Sequence, residues 1–386
     1  MRRARPTLAL FFLADGFVLA SWASRVPAVK SAHGLSDARL GIVLFGIASG
    51  ALLSMPATAW LVQRVGSRRA VLAATVLNLV PVAVIASVSG YGALVGVAVL
   101  FGCGFGAMNV ALNAHAIALE RQARRPILSG LHASFSFGGL AGAGVGALAA
   151  GAGVAAGTHL GVAAGVLAAL LALAAPGLAL PPQEHGPEPA PLARPRRALL
   201  ALGAIAFCCL MAEGAAADWS AVFLRDTTGA GPGLAAIGYF AFSGAMASGR
   251  LAGDGLVLRF GARTLVRAGA TLGAAGLAAA LITQTPVTAV LGWAVLGAGL
   301  STIVPITFRA AGRASPAAPS AGVAAVSSIG WLGFLSGPPV IGFVSSASSS
   351  LAVGLGLVVA AVAGIALLAA RVEPHTAQTR LADACA

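Results

Sequence analysis

Leu61-Val62-Gln63-Arg64-Val65-Gly66-Ser67-Arg68 returns about 195 residues later as Leu256-Val257-Leu258-Arg259-Phe260-Gly261-Ala262-Arg263. Each copy ends an apolar run on an Arg-x-Gly-x-Arg turn. The same offset lays Gly102 and Gly104 over Gly297 and Gly299, and Gly138, Leu140 and Gly142 over Gly333, Leu335 and Gly337. Near the start of each half, Asp15-Gly16 with Trp22 matches Glu213-Gly214 with Trp219 at a slightly larger offset. A single match means little in a chain rich in Gly and Ala. Four in one order mark an internal duplication and predict two parallel halves.

The medium around those halves follows from composition. The chain has 386 residues, of which 58% are hydrophobic and only 9% charged. Soluble domains carry about a quarter charged residues. Water could not cover so much apolar surface, whereas lipid can. The apolar stretches recur along the whole chain, so a soluble domain with one anchor is excluded. The formal net charge of +13 invites nucleic-acid binding. The Arg residues, however, stand in small clusters between apolar runs, which is the pattern of a membrane protein's inner loops.

A spanning helix needs about 20 apolar residues. Breaks at charges, Pro and Gly predict helices over 7–27, 38–62, 70–89, 92–117, 127–151 and 155–179, then 199–222, 233–257, 264–284, 287–310, 320–345 and 350–370. The expectation is an all-α membrane protein with twelve transmembrane helices in two pseudo-symmetric six-helix bundles. Residues 1–180 form the first half and 198–386 the second, with a short tail. Between them, Pro181 to Arg197 is Pro-rich and polar and reads as a solvated linker. The N-terminus imitates a signal peptide, but Asp15 in mid-run opposes that reading, and the segment reads as the first membrane helix. Arg64, Arg68, Arg69, Arg121, Arg124, Arg125, Arg194, Arg196, Arg197, Arg259, Arg263 and Arg267 fall on one side, facing few basic residues on the other. Both termini are therefore expected in the cytoplasm of a bacterial inner membrane.

The loop after the second predicted helix resembles that of the major facilitator superfamily, G-x-L-A-D-R-x-G-R-R. The Arg-x-Gly-x-Arg part is kept, while the acidic position holds Gln63 in one half and Leu258 in the other. The resemblance implies an inner gate involving Arg64, Arg68 and Arg259. Asp254 lies one turn before Leu258 and is expected to take the acidic role beside Arg259 or Arg250. Ser21-Trp22-Ala23-Ser24-Arg25-Val26-Pro27, Asn109-Val110-Ala111-Leu112-Asn113, Leu131-His132-Ala133-Ser134-Phe135-Ser136 and Glu213-Gly214 with Asp218-Trp219-Ser220 are similar to the rhizopine-associated, MosC-like branch. That likeness implies small polar organic solutes, sugar-like ones among them. Gly333-x-x-x-Gly337-Pro338 only partly resembles an antiporter signature, which belongs in the fifth helix, where Ala143 replaces the expected Pro.

An ionisable group within a membrane helix is costly and usually meets a cavity or a partner. Asp15 and Glu213, read as equivalent, are expected to line a central cavity and to carry protons or solute; the competing reading is an interhelical hydrogen bond. Asp218 is about 140° round the helix from Glu213 and suits an outer gate. Trp22 and Trp219 either stack on a sugar-like ring or sit in the interfacial belt. Asn109 and Asn113 share one helix face, and their amides can donate to and accept from a hydroxyl-bearing solute or a neighbouring helix. His132 shares a face with Ser136 and is a candidate proton relay or solute contact. Arg250 and Asp254, one turn apart, read as a self-neutralising pair or an inner gate.

Cys103, Cys208, Cys209 and Cys385 show no metal-ligand spacing, and the Gly-rich strings lack the context of a nucleotide loop. The sequence therefore predicts neither metal nor cofactor nor enzymatic chemistry. The expected partners are a small solute, protons and the bilayer, with no nucleic acid, and the expected state is a monomer. The leading reading is proton-coupled secondary transport by alternating access. An exporter of drugs or metabolites shares that fold, and a non-transporting membrane sensor is the alternative of another class.

Overall fold

In lipid every backbone N–H and C=O must find a partner within the chain, and a helix does this without outside help. The computed structural model describes residues 4–123, 127–178, 197–315 and 319–372. Most of the expected linker, 181–196, lies outside them. Among the described residues the chain forms α1 (Ala4–Ala32), α2 (Asp37–Val65), α3 (Ser67–Val84), α4 (Tyr91–Ala123), α5 (Leu128–Gly151) and α6 (Ala156–Ala174). The second set is α7 (Arg197–Val222), α8 (Pro232–Phe260), α9 (Ala262–Thr283), α10 (Pro286–Leu300), α11 (Ile303–Ala314), α12 (Pro319–Ser348) and α13 (Leu351–Leu368).

Among the described residues eleven spans are long and apolar enough to cross a membrane, with α10 and α11 together forming one of them, Pro286–Ala314. With α8, which has the length but carries Arg250 and Arg259, the spans number twelve. The predicted 287–310 helix is thus broken in two. At the break, the Ser301 hydroxyl donates back to the Ala298 carbonyl at 2.7 Å, a bond that competes with the helix ladder. The first helix also runs five residues past its predicted end, through Pro27. Neighbouring helices re-satisfy the carbonyl that a membrane proline frees.

The duplication is visible in the packing. Gly66 and Gly261 both turn the chain between antiparallel helices with left-handed φ, 83° and 78°, which a side chain would resist. A Cβ on Gly102 would sit 1.9 Å from the Ile47 carbonyl oxygen, and one on Gly297 would sit 2.2 Å from that of Phe242. Gly138 presses on the Leu13 carbonyl, and Gly333 on that of Phe207. Without Cβ atoms the backbones of α2 and α4, α8 and α10, α1 and α5, and α7 and α12 cross at close range. The halves then meet along two seams, α2 with α12 and α5 with α8.

Those seams are tightest at the end opposite the Arg-bearing turns. There Gly41 of α2 packs on the Pro338 carbonyl of α12, and Gly233 of α8 packs on Gly151 of α5. Nearer the Arg-rich end, on the α5 and α8 faces, His132 and Arg250 are exposed. The halves thus enclose a cleft that is closed at one end and wetted toward the Arg-rich end.

Candidate functional site

Two polar pairs face this cleft from opposite halves. On the C-terminal side, Arg250 of α8 reaches Glu213 of α7, Nη2 to Oε2 at 3.6 Å, with the Arg side chain 43% exposed. The Cys209 thiol points at the other carboxylate oxygen at 3.8 Å. Tyr239 of α8 hydrogen-bonds Ser243 and lies within electrostatic reach of Glu213, Asp218 and Arg250. On the N-terminal side, His132 Nε2 of α5 meets Asn113 Oδ1 of α4 at 3.1 Å. An amide oxygen only accepts, so the imidazole donates there. Asn113 Nδ2 donates in turn to the Asn109 carbonyl at 2.8 Å, and Phe12 of α1 packs edge-on against the His132 ring. Arg250 lies within electrostatic reach of His132, so the two walls address one space.

Asn113, His132 and Glu213 are thus gathered around Arg250 and Tyr239, and Asn109 takes part through its backbone carbonyl. Asp15 is not among them. It is 3% exposed inside the N-terminal half, where Asn78 Nδ2 of α3 donates to its Oδ1 at 3.1 Å. The small cavity around that pair is otherwise lined by Ala14, Val18, Thr75, Leu79, Met108 and Leu171. Gly138 on Leu13 and Gly142 on Phe17 answer to Gly333 on Phe207 and Gly337 on Met211. Counted from those contacts, the counterpart of Asp15 is Cys209, and Glu213 lies one turn further along. The pairing of Asp15 with Glu213 read from the sequence is thus corrected. The α1 face that carries Asp15 turns into its own bundle, and Trp22 follows it there.

Trp22, 1% exposed, packs edge-on against Phe101 of α4, and Trp219 is fully buried. Both belong to bundle interiors, which corrects the stacking and belt readings alike. Asp218 is half-buried within electrostatic reach of Tyr239. Arg250 pairs with Glu213; the Asp254 side chain, and with it the expected Arg250–Asp254 pair, lies outside the described residues. Arg64 stacks over Trp60 and Arg259 over Phe260. Arg68 is exposed within electrostatic reach of His115, whose Nδ1 meets the Ser67 hydroxyl at 2.9 Å.

The closed end has a latch that sequence reasoning missed. Lys30 at the end of α1 pairs with Asp37 of α2 at 2.6 Å and with Asp226, just past α7 in the other half. The Ser345 hydroxyl of α12 donates to the Asp37 carboxylate, and the Ala38 N–H donates to the Ser346 hydroxyl. Lys30 is the one lysine in the chain, and that singularity was the available signal. No group of three or more His, Cys, Asp or Glu arranged to hold a metal occurs among the described residues.

Two parallel six-helix halves with a polar cleft between them define a transporter. The family model of the Major Facilitator Superfamily matches residues 7–257, and the chain belongs to that family. Within it the chain falls in the MosC-like branch. It is 34% identical over 355 residues to an uncharacterized MFS-type transporter of Yersinia pestis, covering 90% of each chain. It is 32% identical over 351 residues to the membrane protein MosC of Rhizobium meliloti, covering 90% of this chain and 84% of that one. Among solved structures, the nucleoside transporter NupG superposes with a TM-score of 0.75 over 96% of this chain and 98% of its own, at 15% identity.

Proposed function

We propose that this chain is a proton-coupled secondary transporter, working by alternating access, that moves a small polar organic solute, sugar-like in its hydroxyl content. The Arg-rich end faces the cytoplasm of a bacterial inner membrane, so the described state is open inward. The observation that carries the reading is the Glu213–Arg250 pair facing the Asn113–His132 pair across the cleft. Amide, imidazole and guanidinium groups together offer both donors and acceptors to hydroxyls. Glu213 is the coupling group. As a carboxylate it holds Arg250, and when protonated it releases it. The two protonation states therefore favour different positions of α7 against α8, and such a difference is what biases an equilibrium between inward- and outward-open forms. Asp15, inside one half, is a strut bonded to Asn78.

Purified protein in proteoliposomes, given a panel of polyols, sugars and amines with and without a pH gradient, tests this. The expected result is accumulation of at least one polyol or sugar that requires the gradient and collapses with a protonophore. Accumulation of hydroxyl-bearing solutes that ignores the gradient, or movement of lipophilic amines alone, would overturn it.

A further inference from the structure

The Ser21–Pro27 string is not used by the cleft, yet it carries the most costly group in the N-terminal half. Arg25 is 3% exposed within α1. Its Nη2 donates to the Val154 carbonyl in the turn between α5 and α6. Its Nε and Nη1 are buried without a hydrogen-bond partner, and no carboxylate ion-pairs with it among the described residues. His159, 6% exposed in the first turn of α6, lies within electrostatic reach of Arg25, and neither of its ring nitrogens has a partner. Ser21, one helical turn before Arg25 on the same face, has an unpartnered buried hydroxyl. α6 begins at this point with Ala155 in the capping position and no side chain bonded to its first amides. Gly146 of α5 packs on the Ser24 hydroxyl and beside the His159 ring, so α1, α5 and α6 converge here.

A buried guanidinium, an imidazole, a hydroxyl and an uncapped helix N-terminus are all donors, and the last adds the positive end of a helix dipole. Left without negative charge, the arrangement would be expensive at membrane depth. From these groups we infer that the outer end of the N-terminal half holds a small monovalent anion, chloride-sized, between Arg25, His159 and the start of α6. The site lies between α1, α5 and α6, apart from the cleft. Its occupant locks the α5–α6 turn onto α1 and is not the transported solute. Chloride and a small carboxylate share the chemistry that such donors recognise.

Full-length protein in detergent, melted in sodium chloride, sodium formate or sodium gluconate at equal ionic strength, tests the inference. Gluconate is too large for the site. Tm is expected to be about 2–4 °C higher in chloride than in gluconate, with the difference removed in Arg25→Gln and reduced in His159→Phe. Should Arg25→Gln fail to fold, His159→Phe, which keeps the Arg25 bond to Val154, carries the comparison. Stabilisation by formate and not by chloride keeps the site and makes its occupant a carboxylate. Equal Tm in all three salts overturns the inference and leaves Arg25 as a cap on the α5–α6 turn. A difference that persists unchanged in both variants overturns it as well, as a salt effect on the surface.

Discussion

Glu213 and Asp15 are both carboxylates within membrane helices, yet their surroundings assign them different work. Glu213 meets a cation that is itself 43% exposed in the cleft. Asp15 meets an amide in an interior that belongs to a single half. Under the proposed alternating access, rocking of rigid halves would change the water around the first and leave the second as it was. Glu213→Gln is therefore expected to abolish pH-driven accumulation while solute exchange continues, because the amide keeps the volume and loses the titration. Asp15→Asn is expected to keep pH-driven accumulation, whereas Asp15→Leu leaves the Asn78 amide unpaired and costs about 1–3 kcal/mol of stability. Proteoliposome uptake and detergent melts read the two effects separately. Full pH-driven uptake by Glu213→Gln, or its loss in a well-folded Asp15→Asn, reverses the assignment. The sequence announced both groups by type and depth; it did not reveal which way each points, because one turn of register in α7 decides that.

Between elements, the two seams differ in chemistry. The α5–α8 seam closes on glycines, Gly151 against Gly233, and so depends on close backbone approach. The α2–α12 seam ends in the ionic latch of Lys30, Asp37 and Asp226 with Ser345. Lys30 stands at the end of α1, and Asp226 at the π turn that prolongs α7, so their bond spans the two halves. Removing the shared cation leaves two carboxylates facing each other and weakens the closure at this end of the cleft. Lys30→Met is expected to raise the labelling rate of a cysteine at Ala38 by an impermeant maleimide about fivefold, the equivalent of about 1 kcal/mol for a partly exposed pair. The comparison is made in a background free of the native cysteines. An unchanged rate would mean that the seam is held by its packing alone. This latch was hidden from a linear reading because its partners are separated by about 196 residues.

For the molecule as a whole, the duplication dictates the topology. Each half has six spans, so α6 ends, α7 begins and α13 ends on the side where α1 begins. The Arg-bearing turns after α2 and after α8 then lie on one side, as the charge rule requires. Reporter fusions within 181–196 and at the C-terminus are both expected to read cytoplasmic, and a periplasmic reading at either place breaks the two-half scheme. The opening of the cleft toward the Arg-bearing end follows from the same geometry, since both seams close at the opposite end.

The sequence by itself determined the medium, the number of spans and the duplication, because apolar length, Arg placement and Gly spacing are local properties that lipid and close helix packing enforce directly. It also brought Asn113 and His132 into view, since spacing along a helix fixes which groups share a face. Only the tertiary structure decided which face that is. It turned Asp15 and Trp22 inward, paired Arg250 with Glu213, joined Lys30 to Asp226 and buried Arg25 beside His159. Helix rotation is set by where the glycines of one helix let the backbone of another approach, and that choice is made between helices distant in the chain.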